Sequence, residues 1–118
     1  TGENMEEVKA QLIVEGANAP VTGEADRYLL QQGKVIIPDI LANAGGVIVS
    51  YLEWKQDRIT QLYTEQQIFD EMHKQMAFTF EQIFDTYFTK GLASIRQTCY
   101  VHAVKRLVTL LYRHGKLY

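Results

Sequence analysis

Leu12-Ile13-Val14-Glu15-Gly16-Ala17-Asn18 decides the fold. An apolar run from Ala10 to Val14 stops abruptly at Glu15-Gly16, the pattern of a short buried strand that ends in a turn. Immediately beyond, Thr22 is placed to cap a helix, Glu24 and Asp26 put negative charge in its first turn, and Gly33 closes it. A second apolar run, Val35-Ile36-Ile37, is stopped by Pro38. Strand, helix and strand in that order make a βαβ unit, which requires a parallel pair and a right-handed crossover. The fold class expected is therefore α/β.

Downstream the period changes from two to 3.6. Val47 to Trp54 is almost wholly apolar and reads as a helix that starts at the Gly45-Gly46 turn and is buried on most sides. Gln56 to Tyr63 reads as a soft linker. Thr64 with Gln67 has the form of a capping box, and Phe69, Met72, Met76, Phe80, Ile83 and Tyr87 mark one face of a long helix ending at Gly91. Ser94 with Gln97 repeats the capping signature. Tyr100, Val104, Leu107 and Leu111 then form the stripe of a last helix, with Lys105, Arg106, Arg113 and Lys116 toward its carboxyl end. Two strands alone make a poor sheet, so its other strands are expected outside these residues.

Composition narrows the function classes. The chain has 118 residues, 47% apolar and 22% charged, with 12 Lys and Arg against 14 Asp and Glu. This balance argues against a basic nucleic-acid-binding surface. The longest uncharged stretch, Ile40 to Leu52, is well short of the roughly 20 residues of a membrane-spanning helix. Cys99 is the single cysteine, which excludes an internal disulfide, fits a cytoplasmic location, and reads as a small core or interface residue. His73, His102 and His114 lack the spacing of metal ligands, so no metal site is expected. The chain opens at Thr1 with no basic-then-apolar leader, and reads as a segment of something longer.

Two loops are candidates for chemistry. Gly16-Ala17-Asn18 follows the first strand at its carboxyl end, where ligands bind in open α/β sheets; Asn18 either meets such a ligand or closes the turn before Pro20. After the second strand, Asp39 either polarises a ligand or caps the next turn. Gly45-Gly46 permits a close backbone approach by a ligand or another segment. Asn43, Val47, Ser50 and Trp54 share one helical face. The Ser50 hydroxyl bonds either to the carbonyl one turn back or to a polar substrate group. A GxGxxG loop is absent.

Taken together, residues 12–18, Glu24-Ala25-Asp26, residues 35–47 and Ser50-Tyr51-Leu52-Glu53-Trp54 resemble the carboxyl half of the cofactor domain in the glutamate, leucine, phenylalanine and valine dehydrogenase superfamily, specifically its glutamate dehydrogenases. The likeness is dense from Lys9 to Gln56, looser along the long helix, and returns at Ser94-Ile95-Arg96 and from Tyr100 to Arg106. It implies part of a doubly wound, Rossmann-like domain over residues 1–58, and over 59–118 helices that pack back toward a substrate domain. It implies NAD or NADP as cofactor, with Gly16, Ala17, Asn18 and Asn43 beside it. Val47 and Ser50 would line a pocket for L-glutamate or 2-oxoglutarate in a homo-oligomeric enzyme.

Gly23 stands where that family often has proline, and Ala19 where it often has glycine. The family's catalytic lysine and aspartate and its phosphate loop match nothing here, so no catalytic residue is expected among these 118 and turnover by this chain alone is not expected. An enzyme of the superfamily acting on an apolar amino acid, and a non-catalytic assembly module, are the alternative readings.

Overall fold

A computed structural model describes residues 1–60 and 62–115. Gln61, in the expected linker, and Lys116, in the expected basic end, lie outside the described residues. A short 3-10 turn over Met5–Glu7 leads into β1 (Leu12–Val14); α1 (Gly23–Gln31) then crosses to β2 (Val35–Ile37). The strands are parallel, with Leu12 opposite Val35, Ile13 opposite Ile36 and Val14 opposite Ile37. The βαβ unit is thus present, although the first strand begins at Leu12 rather than Ala10. Thr22 Oγ1 accepts from the Ala25 N–H at 3.4 Å and caps α1. Ala25 and Leu29 on α1 and Ile36 in β2 are buried.

Four helices follow: α2 (Asp39–Ala42), α3 (Ala44–Ile59), α4 (Glu65–Lys90) and α5 (Ile95–Arg113). The α4 capping box is complete. Thr64 Oγ1 accepts from the Gln67 N–H at 3.2 Å, and Gln67 Oε1 accepts from the Thr64 N–H at 2.9 Å. Gly91, at φ 59°, ends the helix in the left-handed conformation that glycine adopts without strain. Ser94 caps α5 through the Gln97 N–H at 3.0 Å. The core lies where α2, α4 and α5 meet, with Leu41, Ile83, Ile95 and Cys99 buried together and Ile37, Phe80, Phe84 and Tyr87 packed around them. Burial pushes the Cys99 thiol up to about 11, so it remains protonated at neutral pH.

Three expectations are corrected. Helix α3 starts at Ala44, which places both glycines inside its first turn, and it runs through Gln56 to Ile59, which shortens the linker. Nor is α3 buried on most sides: Leu52 alone is buried, and Val47, Tyr51 and Trp54 are exposed, because α4 covers one side of the helix. The α5 stripe of Tyr100, Val104, Leu107 and Leu111 is likewise exposed. The buried α5 positions are instead Ile95, Thr98 and Cys99, since the first turns of the helix carry its packing against the core.

The consequence is an open shape. The radius of gyration is 17.3 Å, against roughly 13–14 Å for a compact domain of this length. The accessible surface is 8787 Å², about a third more than the roughly 6,600 Å² expected of a folded monomer of this mass.

Candidate functional site

The two candidate loops are joined by an ionic cluster at the carboxyl ends of the strands. Glu15, the residue that stops β1, is 2% exposed. A buried carboxylate needs a charged partner, and Arg96, in the first turn of α5, supplies it: its Nη2 donates to Glu15 Oε1. The same nitrogen donates to Asp26 Oδ1 on α1 at 3.2 Å, and Nη1 donates to Asp39 Oδ1 at 3.4 Å. One guanidinium therefore gathers carboxylates from β1, α1 and α2, using the planar fork that suits arginine to the task. Desolvation works against the Arg96 charge, but the hydrogen bond and charge of Glu15, followed by those of Asp26, outweigh it and raise its pKa.

Each carboxylate passes the constraint on to the backbone. Glu15 Oε2 accepts from the Asp39 N–H at 2.9 Å. Asp39 Oδ2 accepts from the Ala19 N–H at 2.7 Å, and its Oδ1 from the Ile40 N–H at 2.8 Å. The Ala19 N–H, foremost among these, holds the Asp39 carboxyl below its ordinary range, against the opposing effect of burial; the Ile40 N–H and Arg96 add to the shift. Both Asp39 carboxylate oxygens are thus bound into the scaffold. Ala19 sits at φ 46°, a left-handed conformation that costs an L-residue about 1–2 kcal/mol. That strain gives a physical reason for glycine at this point in the family pattern.

Asn43 donates from Nδ2 to the Glu15 carbonyl at 3.3 Å, so the loops carrying Asn18 and Asn43 are brought together. Asn18 is exposed, and its side chain makes no hydrogen bond among the described residues. The glycines divide by surroundings. A Cβ on Gly45 would lie 3.2 Å from Met76 Sδ and 3.3 Å from Met72 Sδ, so this glycine serves the contact between α3 and α4. Gly16 and Gly46 meet nothing within 4 Å of such an atom and leave their backbone open to approach. Asn43 and Gly46 share a hollow of about 480 Å³ with Met72 and Met76.

The remaining candidates lie further along α3. Val47 is 70% exposed and borders a separate hollow with Phe78 and Arg106. Ser50 is exposed. Thr89, Thr98 and Thr109 each donate to the carbonyl four residues back, at 2.7–2.9 Å. Ser50 does not, and its hydroxyl makes no hydrogen bond among the described residues. Asn43, Val47 and Ser50 therefore do not enclose one pocket within these residues.

No motif in the sequence singles out Arg96, although one signal is present. It is a cation in the first turn of a helix, where the macrodipole favours anions, so its position calls for specific carboxylate partners.

An α/β unit with two loops locked together at the carboxyl ends of parallel strands is the class of structure these features define. The chain belongs to the glutamate/leucine/phenylalanine/valine dehydrogenase family, whose model matches residues 1–115. It is 41% identical over 102 residues to the NADP-specific glutamate dehydrogenase A1 of Halobacterium salinarum, a match covering 86% of this chain and 24% of the relative. The crystal structure of glutamate dehydrogenase from Peptoniphilus asaccharolyticus superimposes with a TM-score of 0.89 at 32% identity, over 98% of this chain and 29% of that one. The hetero-hexameric glutamate dehydrogenase from Thermus thermophilus, in its Leu-bound form, gives 0.83 at 31% identity, over 91% and 26%. The chain thus spans about a quarter of the length of the curated relatives it matches.

Proposed function

We propose that this chain is the carboxyl-terminal portion of a cytoplasmic, oligomeric NAD(P)-dependent glutamate dehydrogenase. Residues 1–58 complete a doubly wound cofactor domain, and residues 59–118 return toward a substrate domain. Relatives named as glutamate dehydrogenases support this reading, and the Thermus structure supports the oligomer. The observation that carries the choice of glutamate is the free hydroxyl of Ser50. A hydroxyl that forgoes its carbonyl one turn back remains available to a charged acceptor such as a distal carboxylate. Val47, exposed on the same helix, supplies apolar contact for the methylene groups. An enzyme for leucine or phenylalanine has no use for a polar group there.

The residues at the sheet end fit a dinucleotide. Gly16 and Gly46 leave room for backbone approach, Asn18 has an uncommitted amide, and Asn43 holds its amide against Glu15 and keeps its Oδ1 for a partner. When bound, the nicotinamide supplies the hydride acceptor. The role of this chain is to hold and orient: Asn18 and Asn43 bracket the cofactor, and Ser50 and Val47 fix the substrate side chain.

Ser50→Ala in the complete dehydrogenase tests the reading. Loss of a hydrogen bond to a charged group raises the KM for glutamate about tenfold or more while changing the KM for cofactor little. An unchanged glutamate KM removes Ser50 from the substrate pocket.

A further inference from the structure

We infer that Arg96, on the last helix, is the positioning residue for the cofactor-facing loops, acting through Glu15 and Asp39. The inference rests on the dehydrogenase reading above and extends it to a residue that touches neither ligand. The path is short. Arg96 bonds Glu15 and Asp39; Asp39 holds the Ala19 N–H at 2.7 Å, next to Asn18; and the Glu15 carbonyl holds the Asn43 amide at 3.3 Å. Both asparagines are thus one step from a group that the guanidinium fixes. Ala19 gives this tether a purpose, because a residue at φ 46° leaves that conformation unless something over-determines it, and the Asp39 carboxylate is what does so. The same guanidinium anchors α5 to the sheet, so the seating of the last helix and the shape of the two loops are set by one group.

Lysine at position 96 keeps the charge but offers one point donor in place of the two-nitrogen fork that reaches three carboxylates here. In the complete dehydrogenase, Arg96→Lys is expected to raise the KM for nicotinamide nucleotide about tenfold, as a displaced positioning group does, with the KM for glutamate within about twofold. In the same complete enzyme, the Ala19 amide is expected to exchange with solvent at least about tenfold faster in the variant, with the Ile83 amide in the core unchanged. Equal rises in both KM values, or an unchanged Ala19 exchange rate, overturn the inference. If Ile83 also loses protection, Asp39→Asn, which weakens the acceptor for Ala19 without removing Arg96, carries the same two readouts. A wild-type enzyme without nicotinamide-dependent glutamate oxidation overturns the dehydrogenase reading instead, and Ala19 exchange then decides whether Arg96 sets the loop.

Discussion

At the carboxyl ends of β1 and β2, four charged side chains satisfy one another and the backbone around them, and among the described residues no buried side-chain nitrogen or oxygen lacks a partner. Along α5 beyond His102, Val104, Leu107, Val108, Leu110 and Leu111 form an apolar surface that these residues leave uncovered. Among the described residues the polar end is thus complete, whereas the apolar flank is not. Charged groups must find partners at short range, since an unpaired buried carboxylate costs several kcal/mol. An apolar face gains from any cover of suitable shape, including cover that comes from elsewhere.

The largest test of this contrast sets one apolar side chain against another. Ile83, 1% exposed and surrounded by Leu41, Ile95 and Cys99, should cost about 3 kcal/mol when replaced by Ala, read as a lower urea midpoint at an unchanged slope. Leu107, 59% exposed, should change the stability of the isolated chain by less than about 0.5 kcal/mol on replacement by Gln. A comparable loss at both positions would mean that α5 is covered by self-association, which the concentration dependence of the midpoint reveals.

Acid probes the polar end. The folded pKa of Asp39 lies below its unfolded value, so its contribution to stability is present above the unfolded carboxylate range and is lost as pH falls through the depressed folded value. Urea midpoints should therefore fall on acidification, and Asp39→Asn should flatten that part of the profile. A smaller effect of opposite sign is expected at Ala19. Glycine relieves the left-handed strain at φ 46°, so Ala19→Gly should stabilise the chain by about 0.5–1 kcal/mol, read as a higher urea midpoint, after some offset from the greater freedom of the unfolded chain.

Much of the architecture was legible because its signals are local. The runs at Leu12–Val14 and Val35–Ile37, the caps at Thr22, Thr64 and Ser94, and the glycine at Gly91 each act over a few residues, and each appears where its chemistry places it. The candidate loops were legible for the same reason, as both follow directly from strand ends. Burial along α3 and α5 was not. Helical period shows that a face is apolar and says nothing about whether a neighbour reaches it: the Tyr100, Val104, Leu107 and Leu111 stripe is exposed, and Ile95 and Cys99 carry the packing.

By itself the sequence determined a βαβ unit with capped helices behind it, and the residue pattern that resembles the dehydrogenase family. Only the tertiary structure decided what Glu15, Asp26, Asp39 and Arg96 do. Arg96 is 81 positions from Glu15 along the chain, and no local propensity links a strand end to a helix start at that distance. Their meeting follows from the crossover of α1 and the return of α5 onto β2, which place one guanidinium within reach of three carboxylates.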